Sequence, residues 1–311
     1  MMLRKTLFAL FSLLFGVCLA LAGTPPILHA QTEPTSEPPR GKGGGTGEIA
    51  YINYGAFHNV FTINVETGES RQVTDYATDI SPVSWSPRGD FMVWSAAVGG
   101  DADLFIMSAD GQQTERITSS SAEDFDPAWS PDGTRIAFVS DRADGAGDIF
   151  IMDVDISTGD AAVRLTNSDL LETAPVWSPD GTQIIYLTAI TPSNYDLYIM
   201  NADGTEAHSL TTSERSEYAP AWSPDGTRIA FHAFEGNFEI YVLDLVTGEE
   251  INLTNNDVAD YMPAWSPDGQ YIAFTSLRVG NAEIFIMDAD GANPVQITSS
   301  EATELGAAWR P

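Results

Sequence analysis

Five carboxylates recur at one offset, six residues after a threonine: Asp124, Glu172, Glu217, Asp260 and Glu304. In an earlier copy of the same register stands Ile80, with Asp79 one place before it. Aromatic residues follow three of the acids, at Phe125, Tyr218 and Tyr261. Carboxylates gathered this way, with aromatic faces beside them, suit a cation or a basic peptide segment. The competing use is local. An acid can cap backbone amides to hold a turn, and a feature repeated in every unit of a repeat usually serves the fold. A second set, Asp103, Asp148, Asp196, Glu239 and Glu283, opens short apolar runs, with Asn59 in the first copy. Acids at the start of a strand beside a loop are expected to be structural.

Calcium is the other chemistry to weigh. The stretch from Asp153 to Asp160 offers oxygens at alternating positions, which makes Asp153, Asp155 and Asp160 candidate ligands. It departs from the helix-loop-helix calcium pattern, which needs glycine at the sixth place, where Thr158 stands. Hairpin turns account for it and for the acidic loop holding Asp141, Asp144 and Asp148. Catalysis finds no constellation. His29, His58, His208 and His232 are far apart in the chain, and His232 takes a place held by small or apolar residues in its sibling segments, so it is expected to be packed. There is no His-Glu-x-x-His pair for zinc, no Gly-x-Ser-x-Gly elbow, and no glycine-rich loop for a nucleotide. No catalytic residue and no cofactor other than calcium is therefore assigned.

The elements that carry these residues are set by a repeat. Trp-Ser-Pro occurs at Trp85, Trp129, Trp177, Trp222 and Trp265, and a degenerate copy, Trp309-Arg310-Pro311, ends the sequence. The spacings are 44, 48, 45, 43 and 44 residues. A turn follows four copies as Asp-Gly and the first as Arg88-Gly89, a pairing that tolerates positive φ. Then come a short apolar run such as Ile136-Ala137-Phe138-Val139, a variable loop, an acid-led run such as Ile149-Phe150-Ile151-Met152, and a last strand ending at threonine 74, 118, 166, 211, 254 or 298. From each threonine to the next tryptophan is 11 residues in all six copies, so that connection is one rigid shape used six times. Four short strands per unit of roughly 45 residues, without helical periodicity, predict a radial stack that buries both faces of each sheet. The fold predicted is an all-β, six-bladed β-propeller, with the C-terminal strand completing the first blade. The connections holding the threonine-offset acids then open on one face, around the central channel. The tryptophans, fixed on the innermost strands, pack blade on blade rather than bind sugar.

The unit Pro-x-Trp-Ser-Pro-Asp-Gly-Thr-x-Ile-Ala-Phe, followed by Asp-Ile-Phe-Ile-Met-Asp, is clearest at Pro127 to Phe138 with Asp148 to Asp153. It resembles the WD-like repeat of the TolB propeller family, and the resemblance covers residues 47–311. It implies an envelope propeller that docks a protein partner, in TolB a peptidoglycan-associated lipoprotein. Related repeats also occur in peptidase and lyase propellers. TolB carries an α/β domain ahead of its propeller; in its place this sequence shows a leader and a tether, so the expectation is a stand-alone TolB-like propeller.

The leader is residues 1–22, or 1–30 if cleavage follows Ala30: Arg4 and Lys5 precede the apolar run Leu7 to Ala22, which ends in Ala20-Leu21-Ala22. Residues 31–46, with Pro34, Pro38, Pro39 and Gly43-Gly44-Gly45, read as a flexible linker. Cys18, the single cysteine, lies in the leader, so disulfides and thiol chemistry are excluded once the leader is removed. The formal net charge is -30, and from residue 47 onward 42 acidic residues face ten basic ones. Such a surface repels phosphate backbones and anionic membranes, which argues against nucleic-acid partners. It attracts cations, or simply keeps the protein soluble. The resulting expectation is a monomeric, exported module, periplasmic, surface-bound or secreted, that grips a protein or peptide of the envelope. The alternatives are a polysaccharide lyase or hydrolase working with channel-mouth carboxylates, and a calcium-stabilised structural domain.

Overall fold

Each repeat folds as a four-stranded antiparallel sheet, and six such sheets stand side by side in a ring. The computed structural model describes residues 47–55, 58–76, 80–98, 100–143, 145–154 and 161–311. The expected leader and linker, and Asp79, Asp144, Asp155 and Asp160, lie outside the described residues. All regular elements among the described residues are strands.

The blade formed by Glu217–Trp222, Arg228–Phe234, Phe238–Asp244 and Glu250–Asn252 shows why the sequence folds this way. Residues 229–233 of its second strand are all buried. Alternate side chains of a strand point to opposite faces, so a run buried throughout needs a partner on each side. Ile229, Phe231 and Ala233 pack against Leu187 and Leu197 of the preceding blade. Ala230, on the other face, joins Trp265, Ile272 and Phe274 of the following blade. Neither face can remain in water, and the stack therefore continues until it closes.

The innermost strands Ser84–Trp85, Asp124–Trp129, Glu172–Trp177, Glu217–Trp222, Asp260–Trp265 and Thr303–Trp309 touch their neighbours in a closed circle. The tryptophan that ends each one leans on the blade before it. Trp85, Trp177, Trp222 and Trp309 donate their indole N–H to the carbonyls of Ala308, Ala128, Val176 and Ala264, at 3.1 to 3.3 Å. Arginines of the preceding blade lie over three of the rings, Arg135 over Trp177, Arg228 over Trp265 and Arg310 over Trp85. The tryptophans are thus packing groups, as their spacing implied. Closure follows the expected route. Thr303–Trp309 pairs with Glu48–Tyr54, in the register Ile49 to Trp309 and Asn53 to Glu304. Arg310 locks the junction, donating to the Glu48 carboxylate (2.6 Å) and to the carbonyl of Gly89 in the next blade (2.9 Å).

Gly111 gives a direct measure of how tightly blades abut. Its φ is +76°, and a Cβ built there would stand 2.3 Å from the Val73 carbonyl oxygen of the preceding blade. Gly248 has a similar φ of +73° with nothing within 4 Å. In urea unfolding, Gly248→Ala should cost about 1 kcal/mol, the left-handed penalty alone, and Gly111→Ala roughly 2–4 kcal/mol. Equal losses would mean that blade contact adds nothing at that turn.

Candidate functional site

The recurring threonine proves to be the hub of each blade junction. Its Oγ1 accepts the backbone N–H of Val60, Leu104, Ile149, Leu197, Ile240 and Ile284 in turn, at 2.9 to 3.0 Å. The same hydroxyl donates to an acid or its stand-in: Thr298 to Glu283 at 2.7 Å, Thr74 to Asn59 at 2.9 Å, Thr254 to Glu239 and Thr211 to Glu217. The acid that opens one blade's third strand therefore meets the acid that opens the next blade's inner strand. Both sets are buried, with Asp124, Glu217 and Asp260 at zero exposure.

Buried carboxylates need partners. Arginine supplies the charge at three junctions: Arg116 to Asp103 (2.5 Å) and Arg142 to Asp124 (3.0 Å), Arg164 to Asp148 (2.8 Å), and Arg278 to Asp260 (2.7 Å). Glu172 is held by Ser168 at 2.7 Å, and Glu217 by the Leu197 N–H at 3.1 Å and Ser213 at 3.0 Å. At the closing junction Asn53 donates to Glu304, and Asn281 and the Ser300 N–H donate to Glu283, while no arginine among the described residues reaches the pair. Burial, together with the Glu304 carboxylate beside it, pushes the Glu283 carboxyl up to about 7.

The eight sequence-predicted binding residues are thus brought together, but their side chains are used differently. Asp124, Glu172, Glu217, Asp260 and Glu304 sit inside the junctions, Phe125 and Tyr261 are buried beneath them, and Tyr218 reaches the channel wall. Among the calcium candidates, Asp153 is exposed at the end of strand Asp148–Asp153, and Asp155 and Asp160 lie outside the described residues.

What faces the channel lies two residues beyond each acid. There the inner strands carry bulges, and Asp126, Ala174, Ala219, Met262 and Gly306 take φ of +47° to +68°. Pro82, which cannot, holds that register in the second blade, whose inner strand is reduced to two residues. The bulges turn backbone and small side chains toward the axis, and between five of the blades they leave a cavity of about 330 Å³. Its wall is apolar and aromatic, formed by Pro127, Pro175, Pro220, Val176, Met262, Tyr195, Tyr218 and Phe238. His232 is packed there as expected. Its Nδ1 accepts the Met262 N–H (3.3 Å), its ring stacks on Tyr218 at 5.3 Å, and burial lowers it to about 3, so it is neutral.

One wall residue is ionisable in ordinary conditions. Asp126 Oδ2 accepts from Thr173 Oγ1 (2.6 Å) and from the Ala174 N–H (3.1 Å), and Oδ1 has no partner among the described residues. Asp126 is only partly buried at the cavity wall, and desolvation by the surrounding protein pushes its carboxyl up to about 6, against the effect of its two hydrogen bonds. The sequence does not single it out by recurrence, as it does the junction acids. The available signal was the opposite: in the register Pro82, Asp126, Ala174, Ala219, Met262, Gly306, one copy alone carries charge.

The surrounding face adds a field. Its loops expose Asp101, Asp169, Glu214, Glu235, Asp257 and Glu301, one or more from every junction after the first. The same loops expose Val98, Leu170, Ile190, Phe234 and Val279. The arginines of these loops, Arg142, Arg215 and Arg278, are all tied to carboxylates.

The family model of the TolB beta propeller domain matches residues 27–191 and again residues 182–311. Among curated proteins, the chain is 37% identical over 70 residues to the protein TolB homolog of Chlorobium luteolum; the match covers 22% of this chain and 16% of that protein's length. Among solved structures, it is similar to TolB from Acinetobacter baumannii with a TM-score of 0.73 at 20% identity, over 87% of this chain and 69% of that one. It is also similar to a putative TolB from Agrobacterium tumefaciens, with a TM-score of 0.69 at 24% identity, over 86% of this chain and 95% of that one. At these identities the structural likeness is one of fold.

The closing junction has a measurable signature. Glu283 holds its proton to about 7 in the folded chain and to its ordinary 4.5 when unfolded, so the folded state binds more protons between those values. Its contribution to stability is complete below about pH 4.5 and is lost as pH rises through about 7. Thermal midpoints measured across that window should fall less in Glu283→Gln, whose amide imitates the protonated acid, than in the wild type. Parallel curves would remove Glu283 as the responsible group.

Proposed function

This chain belongs to the TolB beta propeller domain family, and from that premise we propose that it is an exported binding module that docks a basic, partly apolar segment of an envelope protein on its channel-mouth face. The observation that carries the reading is the apolar and aromatic cavity, open at the centre of a face whose exposed charges are acidic. Apolar walls supply contact area, and the acidic loops steer a cationic partner toward them. The buried carboxylates of the junctions act from behind, holding the loops in shape, and Tyr218 meets the partner directly. The sequence leader, and the envelope role that the resemblance to TolB implies, support an envelope location. The recurring carboxylates that the polysaccharide lyase or hydrolase alternative would use are buried and hydrogen-bonded. The remaining histidines, His58, His208 and His232, sit on three separate blades.

The test fills the cavity. Ala219 is on its wall with φ of +47°. An envelope extract of the source organism is passed over the immobilised chain and over Ala219→Trp, whose fold is checked by its melting curve. A stoichiometric partner should be retained by the wild type, weaken as salt screens the acidic face, and be lost at least tenfold in the variant. Retention by a folded Ala219→Trp would show that the partner does not use the cavity.

A further inference from the structure

We infer that Asp126 makes the cavity a subsite for a primary ammonium group, carried by the docked peptide beside an apolar side chain. The inference rests on the docking reading above and names the chemistry of the segment that enters.

Five blades place Pro82, Ala174, Ala219, Met262 or Gly306 where the third places Asp126, so the ring is built without a charge at that position. The bonds of Asp126 to Thr173 and Ala174 do tie the third blade to the fourth. An asparagine would make the same two bonds, and it tolerates a left-handed φ equally well. What aspartate adds is charge, and charge facing an apolar wall is costly unless something answers it. No charged side chain among the described residues does so, and the groups that act on this carboxyl are burial, Thr173 and Ala174.

The free valence also selects the ligand. Oδ2 already accepts two bonds and Oδ1 is open, so one oxygen is on offer. A guanidinium prefers both oxygens of a carboxylate, in a fork, whereas an ammonium is a point charge satisfied by one. The aromatic rings on the same wall, Tyr195, Tyr218 and Phe238, suit the alkyl stem and an apolar neighbour. A cavity of about 330 Å³ admits one or two side chains, not a folded domain.

The same geometry makes binding depend on pH. The titratable groups facing the cavity are Asp126, His232, Tyr195 and Tyr218. His232 stays neutral above about 3, and burial raises Tyr195 above its ordinary value. Of the cavity's groups, the aspartate is the one whose charge changes between pH 5 and 7.5. Its ionised form, which holds the ammonium, falls to about a tenth at pH 5.

The experiment uses the full mature chain, immobilised, and two random heptapeptide libraries, one N-acetylated and one with free N-termini. Peptides retained at pH 7.5 from the acetylated library should favour lysine over arginine, next to Leu, Ile, Met or Phe. Lysine-free peptides retained only from the second library would identify the N-terminal amine as the source of the same ammonium. Retained peptides should bind Asp126→Asn about tenfold or more weakly, with unchanged affinity between pH 5 and 7.5, while wild-type affinity falls about tenfold over that range. Peptides that Ala219→Trp excludes but Asp126→Asn binds as well as the wild type does would overturn the ammonium subsite and leave the docking reading standing. If no retained peptide is excluded by Ala219→Trp, both fall together.

Discussion

A threonine hydroxyl that accepts one backbone N–H stands at every junction of the ring, donating to a carboxylate at Thr211, Thr254 and Thr298 and to Asn59 at Thr74, and the rest of the molecule is arranged around it. Blades this apolar would stack in many sliding registers if hydrophobic contact alone held them, because burial has no direction. The hydroxyl and its acid do have direction. They fix where the end of one blade's outer strand sits relative to the start of the next blade's inner strand. Buried polar groups that are fully bonded specify a unique arrangement in a way that an apolar interface does not.

That arrangement accounts for the placement of the acids. A carboxylate drawn into a junction is unavailable to the channel, and three junctions recruit arginine to neutralise the pair. With Glu283 and Glu304 the ring relies on a raised Glu283 carboxyl and amide donors instead. Most of the few basic groups on the channel-mouth face are consumed the same way, which leaves the exposed acids of that face, apart from Glu235 beside Arg215, without cationic neighbours. Its negative field follows from the packing of the junctions as much as from composition.

The channel wall is shaped by the next step of the same strands. The bulge two residues after each acid turns small side chains and backbone inward, and the wall becomes a smooth apolar surface interrupted at one blade by Asp126. Near-symmetry makes the exception conspicuous. A repeat protein gains stability from sameness between units and acquires function where one unit differs. Here the differences gather on one side, with Asp126 on the third blade and the Tyr195, Tyr218, His232 and Phe238 cluster on the fourth and fifth.

The sequence by itself determined the blade count, the strand order, the closing strand and the packing role of the tryptophans, because each follows from a spacing and spacing along a chain is a local property. It also located the acids that matter, since Asp124, Glu172, Glu217, Asp260 and Glu304 recur in a fixed register. Which way those side chains turn was decided only by the tertiary structure. Whether a carboxylate enters a junction or the channel depends on a hydroxyl and an arginine that come from other strands and, at the closing junction, on Asn53, 251 residues away. Asp126 was visible as a letter and invisible as a site for the same reason. Its meaning comes from the apolar wall that five blades build around it, and that wall exists only when the ring is closed.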